Sequence, residues 1–579
     1  MEDIDKSIEK EDNLVFSESP ILPQNNNASF KKNKKKNILL ILLILFIVIV
    51  ITITIIILII YNSNQEKDEA KPNTFNNIIK AKYYISDISI QSKIIDIQYI
   101  TSDIINYIKI GVNKYTNFTN FNDSYFFNEM GINEIEIKFN KELTSMNMMF
   151  KDCINLIQID LSDVDSNKIE SMEELFSGCT ELISVDFSNF KSDNLINISS
   201  MFKDCSKIDN INMSNFKSNK LKDISNLFNN CNKMTNIINL NNLNTKNVIN
   251  MKNAFKNCKL LTSIDLSNFN TQNAEDISYL FYGCESLRQL DLKNMKTENV
   301  LDMSYMFAQC SSLLSLNLYS FNTSNVINLD NLFYNCPLLS SIDLSSFNTS
   351  NVIHFSNMFD GCSSIKSLDL SHFNTSKAKD LYYMFSECTS LNYLNIENFD
   401  TSSVENMCGM FNDCISLTSI NISNFDTSNV IDIGSLFSNC HSLISLDISN
   451  FDTSSVIYFN SMFQGCFSLQ NLTFNFNTHN AEEISGMFAE CHSLTSLDLN
   501  GFNISKVYDM SYMFTECNSL SYINLQSFNT SKVNIFIGLF DNIADYGELI
   551  FNSRIFNEDI LNEISENWTK SDINNSIVF

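Results

Sequence analysis

A four-residue phrase, Phe-x-x-Cys, returns along most of this chain at nearly constant spacing. It stands at Phe150/Cys153, Phe176/Cys179, Phe202/Cys205, Phe228/Cys231, Phe255/Cys258, Phe281/Cys284, Phe307/Cys310 and Phe333/Cys336. It continues at Phe359/Cys362, Phe385/Cys388, Phe411/Cys414, Phe437/Cys440, Phe463/Cys466, Phe488/Cys491 and Phe514/Cys517, and Phe540 keeps the register with Ile543 in the cysteine's place. The step is 26 residues, apart from one of 27 (Phe228 to Phe255) and one of 25 (Phe463 to Phe488). Such a period predicts a solenoid, in which each repeat buries its apolar face only against its neighbours. A length of 579 residues, which otherwise suggests several domains, then needs only one elongated repeat domain and its ends.

The repeat from Val300 to Ser324 is typical. Val300, Met303, Met306, Phe307 and Cys310 are spaced 3, 3, 1 and 3, which predicts one face of a short helix, with Thr297 as its N-cap. After the cysteine the period changes to Leu313-x-x-Leu316-x-Leu318, a short strand, and Phe321 turns the chain back inward. A strand on one side and a short helix on the other make a leucine-rich repeat. The expected fold is therefore α/β, a leucine-rich-repeat solenoid of about 15 to 16 repeats with one N-terminal transmembrane helix. Stacked about 4.8 Å apart, its strands would form a sheet on the order of 70 Å long.

The ends divide by composition. Residues 1–37 are polar and end in the run Lys31, Lys32, Lys34, Lys35, Lys36, which predicts a disordered cytoplasmic tail. Ile38 to Ile60 carries no charge over 23 residues, about 34 Å of helix against a bilayer core of about 30 Å. With lysines before the span and Glu66, Asp68 and Glu69 after it, 38–61 reads as a type II signal-anchor. The expected location is a single-pass membrane protein, N-terminus cytoplasmic, with the ectodomain at the cell surface or in a lumen. Residues 62–82 form a connector, 83–142 a β-containing N-terminal cap, 143–543 the solenoid and 544–579 a C-terminal cap with a helix near 556–568. Seven Lys and seven Asp or Glu cancel within residues 1–37, so the net charge of −27 lies beyond them. That repels phosphate backbones and argues against a nucleic-acid partner.

Met306-Phe307-x-x-Cys310, and Met358-Phe359-x-x-Cys362 followed by Leu368-Asp369-Leu370-Ser371, carry a resemblance over roughly residues 135–545. The text resembles that of the BspA-like leucine-rich repeat surface proteins. The resemblance implies surface display and adhesion, or binding of host, matrix or partner molecules, and brings no catalytic residues. A type II anchor departs from the lipid, cell-wall or C-terminal anchors of that family.

Candidate chemistry is sparse. No nucleophile–base pair, Gly-rich phosphate loop or Cys-x-x-Cys spacing is present, so a non-enzymatic protein without a cofactor or metal is expected. The in-register cysteines close a buried face and read as free structural thiols, with a disulfide ladder as the alternative; Cys408, out of register, is the candidate reactive thiol. The middle strand position forms a polar column that includes Asp265, Asp291, Asn317, Asp343, Asp369, Asn395, Asn421 and Asp447, flanked by Tyr319 and Tyr393. This column is the candidate ligand face for unknown protein or glycan partners, bound by many weak contacts. Asn117, Asn122 and Asn567 are the candidate glycosylation sites. The alternative function is a receptor or co-receptor signalling through the short tail, where Ser17 and Ser19 could be phosphorylated.

Overall fold

The computed structural model describes residues 76–96, 104–115 and 123–574. The expected tail 1–37, the expected span 38–61 and the connector up to residue 75 lie outside the described residues. From residue 145 on, the chain winds as a β-solenoid with two parallel ladders per coil. One ladder is made of single bridges and runs from Ser145 to Ile535 without a break. The other consists of three- and four-residue strands such as Ser315–Asn317 and Ser341–Asp343, which pair in parallel and in register. These strands pair two at a time over most of the solenoid rather than forming the single long sheet expected.

The helix expected in each repeat is absent, and backbone geometry gives the reason. In the run from Met303 to Cys310, Tyr305 and Gln309 take φ of 57° and 58°. Left-handed residues every fourth position break any α-helical ladder, which needs right-handed φ throughout. Alternate amides bond instead to the next coil: Met303, Tyr305, Phe307 and Gln309 donate to the carbonyls of Asn328, Asp330, Leu332 and Tyr334 at 2.7–3.1 Å. The amides of Met306, Ala308 and Cys310 reach back three residues at 3.2–3.3 Å, and that of Ser304 donates to Asp302 Oδ1 at 2.8 Å. Every backbone donor is thus satisfied in a run too short to be a stable helix alone. The residue before the cysteine is the sequence signal: Asp204, Asn230, Asn257, Gly283, Asn335 and Gly361 all hold positive φ there. Gly409 shows how tight the stack is, since a Cβ on its φ +62° backbone would stand 2.5 Å from the Tyr383 ring of the preceding coil.

The α/β reading is therefore corrected to a β-solenoid. The α-helix found among the described residues is Glu558–Leu561, in the C-terminal cap, with two 3-10 turns at Leu240–Asn242 and Thr530–Lys532. Among the described residues no helix is long and apolar enough to cross a membrane. On that ground the single-pass membrane location expected from 38–61, a segment outside the described residues, is not carried forward.

The interior follows the apolar spacing despite the change of backbone. Val300, Met303, Met306, Phe307 and Cys310 are all fully buried. The Phe rings form one stack from Phe150 to Phe540; Phe202–Phe228 and Phe333–Phe359, for example, are 5.5 and 5.6 Å apart between centroids. Beside them each in-register thiol from Cys179 on donates to the carbonyl of the preceding coil's Phe, as Cys310 does to Phe281 at 3.2 Å. All sixteen cysteines are free. Thr297, expected as an N-cap, is buried and donates to the Asn322 carbonyl at 2.8 Å. Its neighbour Thr323 donates to the Asn348 carbonyl at 3.0 Å and accepts from the Asn348 amide at 2.8 Å.

Coil length varies at one corner. The 27-residue coil takes its extra residue just after the strand, where Asn239 has φ 56° and Leu240–Asn242 forms a 3-10 turn. The 25-residue coil loses one there, with Phe474 and Phe476 standing closer in sequence than Leu318 and Phe321. Before the first coil, Ile78–Ile85 pairs antiparallel with Gly131–Phe139 and with Leu156–Asp163, and the latter pairs in parallel with Ser184–Asp186. An antiparallel sheet thereby covers the solenoid's first edge. At the far end, Glu548–Phe551 and Thr569–Asp572 extend the parallel sheet, and Trp568 donates to the Ala544 carbonyl at 2.8 Å.

Two outcomes follow from this packing. Phe307→Ala should cost about 3–5 kcal/mol in denaturant unfolding, because the ring has stacked neighbours on both sides that cannot collapse into the gap. Alkylation of the native protein should leave the in-register thiols unmodified until unfolding, since burial raises their pKa, that of Cys336 to about 12.

Candidate functional site

The strand ladder presents the polar column outward. In Ser315–Asn317 and Ser367–Asp369 the central leucine is buried and the flanking residues are exposed. Asp265, Asp291, Asn317, Asp343, Asp369, Asn421 and Asp447 are exposed and Asn395 is half-buried. Asn317 lies opposite Asp343, and Asp369 opposite Asn395. Asp265, Asp291 and Asn421 sit in coils whose segment falls outside the named strands. Tyr319 and Tyr393 are 60% and 55% exposed, so they project from the same face as broad apolar contacts.

Each polar side chain of the column also holds its own turn. Asp343 Oδ1 accepts from the Ser345 amide at 3.0 Å and from its hydroxyl at 2.7 Å; Asp447 does the same with Ser449. Asn317 accepts from the Tyr319 amide at 3.1 Å, and Asp369 from the Ser371 amide at 3.0 Å. This Asx turn favours Asp or Asn in the column, because their side-chain oxygen reaches the amide two residues on and holds it more strongly than a Ser or Thr hydroxyl does. Hydrogen bonds from Ser345 lower the pKa of Asp343, those from Ser371 and Ser449 lower Asp369 and Asp447, and Lys293 lowers Asp291. The column is thus a fixed row of ionised carboxylates and amides.

Elsewhere the carboxylates behave differently. Asp360 is pushed up to about 7 by burial first and by Glu387 and Asp413 next. Burial likewise raises Asp330 and Asp432. Cys408 is half-buried, and burial, with Asp432 next, pushes its thiol up to about 12, which keeps it protonated and weakly nucleophilic. Lys256 lies 4.5 Å from the Tyr279 ring centroid and 5.0 Å from that of Tyr282, and Tyr279 stacks on Tyr305 at 4.4 Å. His441, Phe467 and His492 stack as three rings at 4.2 and 4.6 Å, which accounts for histidines placed two repeats apart. Asn567 is exposed next to buried Trp568, whereas Asn117 and Asn122 lie outside the described residues. Among the described residues no cluster of His, Cys, Asp and Glu could hold a metal ion.

One surface escaped the sequence reading. Between the Thr ladder and the bridge ladder runs a groove of about 930 Å³, lined by an asparagine column that includes Asn247, Asn273, Asn299 and Asn325 and by Ile249 and Leu301. Each of these asparagines donates through Nδ2 to a carbonyl of the preceding coil, at 2.7–2.9 Å. The signal was an Asn-Val-Ile or Asn-Val-Leu recurring two residues after several of the Thr, as at Asn247-Val248-Ile249 and Asn299-Val300-Leu301, where the valine is buried and its neighbours point out.

Asp360 gives a pH test. Its folded pKa is raised above the unfolded value, so its contribution to stability is full below about 4 and falls as pH rises towards about 7. Asp360→Asn should therefore raise the unfolding midpoint at pH 8 and change it little at pH 4, measured by chemical denaturation at both.

Comparison with known proteins places the chain. No curated protein matches it. Among solved structures, Toll in the Drosophila Toll–Spatzle complex is 14% identical over 66% of this chain and 52% of that one, with a TM-score of 0.20. This chain therefore spans about half the length of that Toll chain. The functional domain of InlJ from Listeria monocytogenes, described as including a cysteine ladder, is 14% identical over 72% and 73%, with a TM-score of 0.16. TLR13 in its complex with ssRNA13 is 14% identical over 74% and 84%, also at 0.16. At those scores none of the three bears on this chain's ligand. A repeat-family model matches residues 116–241, 222–336, 312–394, 379–496, 437–552 and 483–576, well over half of the chain. The chain therefore belongs to the family described as Mycoplasma protein of unknown function, DUF285.

Proposed function

We propose that this protein is a non-catalytic binding protein of the BspA-like kind, whose strand face takes a basic protein surface through many weak contacts. The observation that supports this most is the row of carboxylates kept ionised by its own turns and facing solvent. Held in place by Asx turns, these groups lose little side-chain freedom when a partner arrives. The spacing of one polar group per coil, about 4.8 Å, suits an extended basic surface better than a single deep pocket. Tyr319 and Tyr393 supply apolar area within the acidic row, as interface anchors do. Cys408 and Asn567 have no part in this reading.

The test keeps the fold and removes the charge. Asn can accept the same amide hydrogen bond as Asp, so the triple variant Asp343→Asn, Asp369→Asn, Asp447→Asn should melt like the parent. Against immobilised basic proteins such as lysozyme and cytochrome c, the parent should bind at low salt and release as salt screens the charges. The triple variant should bind roughly tenfold more weakly at low salt. Equal binding by parent and variant, or no retention of the parent on any basic protein, would sink the reading.

A further inference from the structure

We infer that the asparagine groove is a second binding site, separate from the strand face, and that it takes a linear, uncharged, hydroxyl-bearing polysaccharide such as a β-1,4-linked hexose chain. Because Nδ2 of Asn247, Asn273, Asn299 and Asn325 is spent on the preceding coil, the amide plane is fixed. Each Oδ1 is left as an acceptor with no partner among the described residues, in a groove open to solvent.

The same column shows what these acceptors do when a donor is in reach. Lys220 donates to Asn194 Oδ1 at 2.6 Å, Lys377 to Asn351 Oδ1 at 2.6 Å and Lys506 to Asn480 Oδ1 at 2.8 Å. Lys220 and Lys377 stand in the column itself, one before Asn247 and one after Asn351, so they bracket the open acceptors. The acceptors repeat once per coil, about 4.8 Å, whereas an extended peptide presents donors to one side only every second residue, about 6.7 Å. A β-1,4-linked hexose chain advances by roughly one sugar per coil and, although alternate sugars are turned over, carries a hydroxyl on its edge at every sugar. Ile249 and Leu301, 40% and 46% exposed, give the apolar contact that a sugar's C–H face needs. Charge selects against a polycation: Lys220 and Lys222 line the groove against the single carboxylate of Glu275.

Cellohexaose and chitohexaose, titrated calorimetrically into the full chain, are the probes. At least one should bind, and Ile249→Arg with Leu301→Arg should weaken it at least tenfold without moving the thermal midpoint. Should that double variant melt early, Leu301→Ala, which only shortens an exposed side chain, should still weaken binding about threefold. The strand-face triple variant should bind the sugar like the parent, so the two sites fail or survive separately. Binding of neither oligomer, unchanged binding in the groove variants, or preferential binding of hexalysine would overturn the inference.

Discussion

The fold depends on sending every second amide of the Met-Phe-x-x-Cys run to the next coil instead of along the chain. Left-handed residues at two points per coil make this possible, and the result is a surface that is neither helix nor strand but bonds like a strand. Because the donors alternate with i→i−3 bonds, no backbone group is orphaned. The bridge ladder, continuous from Ser145 to Ile535, is the visible trace of this bonding, while the strands opposite pair only in short pieces. Coil adhesion is thus carried mainly by the turn run, the Thr ladder and the ring stack. The sheet is left free to present side chains.

Much of this could be read from the residues. The period was plain, and the Phe and Cys columns and the inward-turning Phe321 are all interior positions. The helix could not be separated from the turn run by apolar spacing, because 3, 3, 1, 3 puts the same side chains inward on either backbone. What distinguished them was the residue before most of the in-register cysteines, where Asn, Asp or Gly recurs as αL positions favour. Thr297 misled in the same way: a hydroxyl before an apolar run reads as a cap, yet it is a buried rung between coils.

The site was legible in part. Column membership and outward direction follow from strand alternation, but the Asx turns that tie Asp343 to Ser345 and Asn317 to Tyr319 do not. The Asp-Leu-Ser phrase held that information, since an acceptor followed two residues later by an amide in a turn is its own partner. The asparagine groove went unread because a single Asn per repeat resembles loop composition until neighbouring coils are stacked. Asp360 gives no signal at all in sequence, as its shift comes first from burial under the stacked coils and then from Glu387 and Asp413 in later coils.

Both departures from the 26-residue step fall at the corner between strand and inward Phe: the extra residue at Asn239 and the missing one before Phe476. The ladders on either side keep their register through both, as the bridges Asp223 to Asn250 and Tyr458 to Glu483 attest. That corner acts as an expansion joint. Segments inserted there would bulge beside the strand face without shifting a single rung, so a stack of this kind can change what it displays while its scaffold stays the same.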